Sequence, residues 1–206
     1  STATTLTFAR RSKEEPAHSL DYSMAVVTAS TVMLPRTLAI VAVISPALAK
    51  ALIVPLAIIA LPGIAFTAWW WLARRRESQV ADNDNSPMLS NPLNLSTAIK
   101  FALLYAAIAF AVKVLTESGH TGGTLPLSFV SGLTDMAAIA LSMARHAASD
   151  SLQLPLATHA VVLAAIANSL LKAGLAIGLG APRLRKLSAL VLGLTALAGV
   201  VWLLLV

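Results

Sequence analysis

Long apolar stretches separated by short polar turns dominate the hydrophobic pattern of this chain. Five of them reach the length of a membrane span, and they cover residues 20–44, 47–72, 98–115, 156–179 and 187–206. A bilayer hydrocarbon core about 30 Å thick is crossed by roughly 20 mostly apolar residues of helix. The pattern therefore predicts five membrane-spanning helices.

Two shorter apolar segments lie between the third and fourth predicted spans. They cover residues 124–133 and 136–145, and the sequence SGLTD, which ends at Asp135, joins them. Each segment has about ten residues, which as helix is roughly 15 Å or half a bilayer. We therefore predict a re-entrant helical hairpin that enters and leaves the membrane on one side, with SGLTD at its tip.

The chain also contains an internal repeat. A shift of 136 positions places residues 25–50 on residues 161–186 without a gap, matching Pro46 with Pro182 and Lys50 with Lys186. A shift of 135 positions places the opening residues 3–10 on the second half of the hairpin, 138–145. We predict a first repeat over residues 1–73, truncated at its start, a linker over 74–97 and a second repeat over 98–206.

Positive residues orient these two repeats. They cluster at 10–13 before the first span, at 74–76 after the second, and at 183–186 in the turn between the last two. Because short cytoplasmic loops carry the excess of Lys and Arg, all three clusters and the linker should be cytoplasmic. The first-repeat turn equivalent to 183–186 holds only Lys50, so the two repeats should have opposite orientations in the membrane.

Composition agrees with a membrane protein. Hydrophobic residues make up 57% of the chain and charged residues 12%, with a mean hydropathy of +0.79. Soluble domains carry about a quarter charged residues. We expect an all-α integral membrane protein, a helical bundle of two inverted-topology repeats with a re-entrant or broken helix in each. The sequence opens without Met or a signal-peptide pattern, and within a repeated motif, so we expect a fragment or a chain trimmed at its start.

Several kinds of chemistry are not expected. The chain has no Cys, and its four His show no HxxxH spacing, so neither a metal site nor a cofactor is predicted. The formal charge of +6 sits at span ends without a nucleic-acid-binding motif, so no nucleic-acid partner is expected. No Ser, Thr or Asp has a positioned His or second acid beside it, and we therefore expect no enzyme activity.

Asp135 is the central candidate of a binding site. Inverted repeats with broken helices bind substrates and coupling ions near the membrane midplane in secondary transporters. An ionised acid at that depth costs about 2.5–3.5 kcal/mol on insertion scales, so it requires a partner, water or a proton. The alternative is structural, because Thr134 or Asp135 could serve only as the N-cap of the following half-helix.

Further polar residues are candidates for the same path. Arg36 and Lys172 occupy equivalent positions in the two repeats, and Asn168 shares a helix face with Lys172. The alternative for the two cations is that they reach towards the membrane surface. In the first repeat, the opening STATT offers hydroxyls without an acid. The predicted lining set is Asp135, Thr134, Asn168, Lys172, Arg36, Thr2, Thr4 and Thr5.

Four motifs in this order carry a family resemblance: STATTLTFARRS, NPLNLSTAIKFALLYA, SGLTDMAAIALSMAR and AAIANSLLKAGLAIGLG. Together they resemble the uncharacterised membrane domain that follows the MgtC/SapB domain in a family of bacterial inner-membrane proteins. The resemblance implies a multi-pass protein of the bacterial inner membrane, with an MgtC-like domain as partner and an association with magnesium. The family hairpin usually carries two acids as DxDA, whereas the second acid position here is Ala137.

Two functions remain open at this point. The first is a secondary transporter or channel-like module that moves a small ion or solute across the membrane. The second is a regulatory or assembly module associated with magnesium homeostasis, whose polar residues lock helices together in a homo-oligomer or against a partner. One acid against two cations suits an anion or a proton-linked Asp/Lys pair better than Mg²⁺, which prefers carboxylates. A water-filled cavity reaching Asp135 would favour transport, and a sealed polar pairing would favour the module.

Overall fold

The computed structural model describes residues 1–77, 123–149 and 153–206, together with the single positions 99, 103, 106 and 110. All regular secondary structure in these parts is helical. A one-turn 3₁₀ helix, Pro16–His18, joins the first two α-helices. The α-helices are α1 (Thr2–Glu14), α2 (Ser19–Ile44), α3 (Pro46–Glu77), α4 (Thr124–Thr134), α5 (Met136–Ala148), α6 (Leu154–Leu179) and α7 (Pro182–Leu205).

Four of the five predicted spans are confirmed as long apolar helices. Helices α2, α3, α6 and α7 are each long and apolar enough to cross a membrane. The chain is therefore an all-α membrane protein. The predicted span over 98–115 lies outside the described residues except for its four single positions, and so does the predicted linker from residue 78 onwards. The division into repeats stays a prediction.

Proline sets the two turns between the long helices. Pro46 and Pro182 are the first residues of α3 and α7. The residue before a proline is driven out of the helical region by the ring. Accordingly Ser45, with ψ of 89°, and Ala181, with ψ of 158°, are not helical. Ser45 ends α2, and Ala181, which follows the α6 C-cap Gly180, is the N-cap of α7.

Helix α6 lies at the centre of the bundle. In its most apolar 18-residue stretch 67% of the residues are buried inside the protein, against 22% to 33% in the other three long helices. It contacts α1, α3, α4, α5 and α7. Its buried face is rich in alanine, including Ala157, Ala160 and Ala164, and small side chains let neighbouring helices approach closely.

The outer surface of the bundle is apolar. Val54 and Leu61 on α3, and Leu190 and Leu204 on α7, are each more than half exposed. Soluble monomers rarely expose large contiguous apolar areas, whereas lipid tails solvate them. This surface agrees with the assignment of the four long helices to a membrane.

Two of the three basic clusters lie at one end of the molecule. Ser12, near the end of α1, accepts a hydrogen bond at its Oγ from the amide of Ala181 at 2.8 Å. This contact joins the segment with the basic cluster at 10–13 to the turn that carries the cluster at 183–186. Helix α2 therefore begins at the same end of the molecule at which α6 finishes, as the interpretation from positive charges requires.

Candidate functional site

Asp135 interrupts the helix between α4 and α5, which confirms the predicted break. Its backbone is extended, with φ of −149° and ψ of 98°. Its Oδ1 accepts hydrogen bonds from the amides of Ala137 at 2.9 Å and Ala138 at 3.3 Å, so Asp135 is the N-cap of α5. Within the described residues its Oδ2 accepts no hydrogen bond, and one carboxylate oxygen therefore remains available.

Asn168 holds this break against the central helix. Its Nδ2 donates a hydrogen bond to the carbonyl oxygen of Gly132 at 3.2 Å. Asn168 lies 14 residues after Leu154 and 11 before Leu179, the two ends of α6. At about 1.5 Å per residue it is about 21 Å from one end and about 16 Å from the other. The break therefore packs against the middle of a membrane-length helix.

Gly132 allows this close approach. A Cβ atom added to it would lie 2.5 Å from Cα and 2.8 Å from Cβ of Ala164 on α6. Any larger side chain would push α4 away from α6 and lengthen the hydrogen bond to Asn168. Sequence reasoning did not single out Gly132, although a glycine within the SGLTD tip was the available signal of a close approach.

A cavity of about 380 Å³ opens at the break. Polar side chains reach it from the start of α1, the middle of α2, the break itself and the middle of α6. These lining residues are Ser1, Thr2, Arg36, Thr37, Thr134, Asp135 and Asn168. We call this space the Asp135 cavity. Five of the eight predicted site residues thus lie around one space, and Ser1 and Thr2 at the start of α1 line the same cavity as Asp135.

The two charged residues of the Asp135 cavity do not pair with each other. Arg36 and Asp135 both line the cavity, and both are exposed. No salt bridge joins Arg36 to Asp135 in the described part of the chain. The cavity therefore presents opposite charges on separate walls.

Lys172 lies outside the Asp135 cavity. It is 1% exposed, and its Nζ lies 3.6 Å from Sδ of Met33. It lines a separate void of about 10 Å³, to which Ser30, Ser169 and Thr195 also contribute. We expected Asp135 and Lys172 to face one polar space, and they do not. Met33 contributes to both spaces and separates them, because its flexible side chain fills the gap between α2 and α6.

Thr4 and Thr5 do not line the Asp135 cavity either. Thr5 is buried, and its Oγ1 donates to the backbone oxygen of Ser1 at 3.0 Å. Thr4 is half-buried on α1. Thr4 points away from Thr2, because positions two apart on a helix lie on nearly opposite sides, whereas Thr5 is excluded by its burial and its bond to Ser1. Thr37 and Met33 take their place as lining residues that the sequence did not reveal.

One carboxylate stands alone in this region. In the ranges that the structure describes, no three His, Asp or Glu side chains come together to form a metal site. The polar side chains of the Asp135 cavity instead carry one guanidinium, one carboxylate, one amide and several hydroxyls. Such a set suits the recognition of a solute by hydrogen bonds and charge.

The comparison with known families is decisive for classification. The model of the family described as a domain of unknown function, DUF4010, matches residues 1–180. The chain belongs to this family. The DUF4010 match includes every residue of the Asp135 cavity as well as Lys172 and Met33.

One relative of this DUF4010 chain is an uncharacterised protein of Aquifex aeolicus (strain VF5), which is 33% identical over 104 residues. That match covers 50% of this chain and 45% of the relative, so the chain spans less than half of the relative's length. No solved structure matches this chain.

Proposed function

We propose that this DUF4010 chain is a transport module, a secondary transporter or channel-like unit that moves a small ion or solute across the membrane. The observation that carries the proposal is the Asp135 cavity. It places a carboxylate, a guanidinium and the amide of Asn168 around about 380 Å³ of space at a helix break, within an otherwise apolar bundle. Polar groups in a membrane interior are costly and mark solute pathways.

The position of the cavity supports transport. It adjoins the middle of α6, and secondary transporters bind their substrates near the midplane at discontinuous helices. We interpret α4 and α5 as a re-entrant hairpin, because their 11 and 13 residues are each too short to cross a bilayer. We interpret α2 and α6 as equivalent helices of inverted repeats, because α2 begins at the end where α6 finishes.

The cellular setting is part of the proposal. The resemblance to the membrane domain that follows MgtC/SapB implies the bacterial inner membrane and an MgtC-like domain as a partner. The charge balance of the Asp135 cavity argues against Mg²⁺ as its solute, because the single carboxylate is accompanied by a guanidinium. The nearby cation, Arg36, would oppose any metal ion bound beside Asp135.

Flux in proteoliposomes tests this function. The purified chain should move at least one solute from a panel of small anions, cations and zwitterions, under an imposed ion or pH gradient. Asp135→Asn should abolish that flux and leave folding intact, because asparagine is as good an N-cap as aspartate. Glu14→Gln, which removes an exposed acid far from the cavity at the end of α1, is the matched control and should keep wild-type flux. Wild-type protein without flux for any solute would refute the proposal.

A second function is favoured by the burial of Lys172. Its ammonium group contacts Met33 inside a void too small for a solute path, which is the sealed arrangement expected of an assembly or regulatory module. In that case Asp135→Asn and Lys172→Met would change the oligomeric state or partner binding and would alter no flux. Size-exclusion chromatography with light scattering, run on the same samples, separates the two functions.

A further inference from the structure

The Asp135 cavity has two chemically different sides. Arg36 provides the cationic side, where a planar guanidinium can hold a carboxylate through two parallel hydrogen bonds. Asp135 provides the acidic side, and the two charged groups are not joined by a salt bridge. Opposite charges that line one cavity without pairing leave room for a ligand that carries both complementary charges.

The acidic side is arranged to accept hydrogen bonds. Oδ1 of Asp135 already accepts hydrogen bonds from the amides of Ala137 and Ala138. An anionic ligand at the start of α5 would otherwise bind to these amides. Oδ2 has no hydrogen-bond donor among the described residues. This side of the cavity therefore suits an ammonium group and disfavours a carboxylate.

Asn168 adds a second acceptor. It lines the cavity and is 2% exposed, and its Nδ2 donates a hydrogen bond to the carbonyl oxygen of Gly132. Its buried Oδ1 has no hydrogen-bond partner in the part of the chain that the structure describes. A buried acceptor without a donor is destabilising, so a ligand that supplies an N–H group there gains binding energy.

We propose that the Asp135 cavity binds a small zwitterion of the α-amino acid class. Its carboxylate lies on Arg36, and its ammonium group lies on Oδ2 of Asp135, beside the amide of Asn168. This inference rests on the proposed transport function and names its substrate class. A solute with a single charge would leave either Arg36 or Asp135 unpaired in the cavity, which a zwitterion avoids. A volume of about 380 Å³ is near the lower end of small-molecule sites, about 300–1,000 Å³, and so favours a small side chain.

The test uses three solutes that differ by one charged group. L-alanine carries both charges, propionate lacks the ammonium group, and ethylamine lacks the carboxylate. In proteoliposomes of the whole chain, uptake of radiolabelled L-alanine should be inhibited by unlabelled L-alanine. Propionate and ethylamine should each compete at least about tenfold more weakly, because each leaves one protein charge unpaired.

Two variants test which residue of the cavity binds which charged group of L-alanine. Both are measured as competition for equilibrium binding to the purified chain, which requires no flux. Asp135→Asn should remove the preference for L-alanine over propionate, and Arg36→Gln should remove the preference for L-alanine over ethylamine. Glu14→Gln and Arg183→Gln alter exposed charges away from the cavity and should keep the wild-type order. The wild-type competition series decides the matter even if a variant is not monodisperse.

The outcomes separate this inference from the function on which it rests. Wild-type uptake of simple anions or cations without uptake of L-alanine, or equal competition by propionate or ethylamine, overturns the zwitterion and leaves transport standing. Absence of flux for every solute in the panel overturns transport itself, and the zwitterion with it. Preferred uptake of L-alanine, with the predicted loss of preference in each variant, supports both.

Discussion

The ammonium group of Lys172 lies 3.6 Å from the sulfur of Met33, and Met33 also lines the Asp135 cavity. One flexible side chain thus separates a fully buried cation from a polar space. A thioether is a weak acceptor, so this contact compensates little of the cost of burying an ammonium group. Movement of Met33 would join the two spaces, and this arrangement leads to the first two predictions.

Met33→Ala should expose Lys172 to the Asp135 cavity. Removing the side chain opens a path from the cavity to Nζ of Lys172, and small amine-reactive reagents should then modify it. The measurement is reductive methylation with formaldehyde, quantified by mass spectrometry and referred to the exposed Lys186. Met33→Leu keeps a side chain of similar volume and should leave Lys172 as protected as in the wild type. Equal modification in all three proteins would contradict the separation by Met33.

Lys172→Met should stabilise the protein. The substitution replaces a buried ammonium group that lacks a carboxylate partner with an apolar side chain of similar length, and the gain should be about 1–3 kcal/mol. For a chain of this size each 1 kcal/mol raises Tm by about 2–4 °C. Thermal unfolding in detergent measures it, with Lys186→Met as the exposed control. A lower Tm would mean that Lys172 has a stabilising role, and higher stability with loss of flux would mark it as a functional residue.

Gly132→Ala should destabilise the contact between α4 and α6. The new methyl group would lie within 3 Å of Ala164, and overpacking of this kind costs about 1–3 kcal/mol. Gly193→Ala is the matched control, because a Cβ there meets no atom within 4 Å and alanine is the better helix former. Thermal unfolding should therefore show a lower Tm for the first variant and an unchanged or higher Tm for the second.

Cysteine labelling should place the basic end of the molecule in the cytoplasm. The chain has no native Cys, and Glu14 and Arg183 are exposed beside the contact between Ser12 and Ala181. Glu14→Cys and Arg183→Cys should react with a membrane-impermeant maleimide only after permeabilisation, as the positive-inside rule requires. Ala47→Cys, exposed at the turn between α2 and α3, should react in intact spheroplasts. Labelling of Glu14→Cys and Arg183→Cys from opposite faces would contradict the shared end.

Local sequence predicted much of the fold because membrane helices are set by length and hydropathy. Four spans, the turns at Pro46 and Pro182, and the break at Asp135 each follow from a few neighbouring residues. The lone acid between two half-length apolar segments predicted the break, and an N-cap formed by Thr134 or Asp135 was the structural alternative to a binding site. Each helical segment must match the bilayer thickness and satisfy its own backbone hydrogen bonds, and it does both without help from distant residues.

The composition of the Asp135 cavity was decided by tertiary structure. Helices α2 and α6 are apolar on most of their surface, so no amphipathic stripe in the sequence shows which side of each faces the other. The contact of Gly132 with Ala164 sets the position of the hairpin on α6, and the rotation of α2 places Arg36 and Thr37 beside Asp135. The same rotation places Met33 between Lys172 and the Asp135 cavity, so Lys172 does not line the cavity. Side chains distant in sequence share a cavity only through helix rotation and crossing, which close packing of small residues determines.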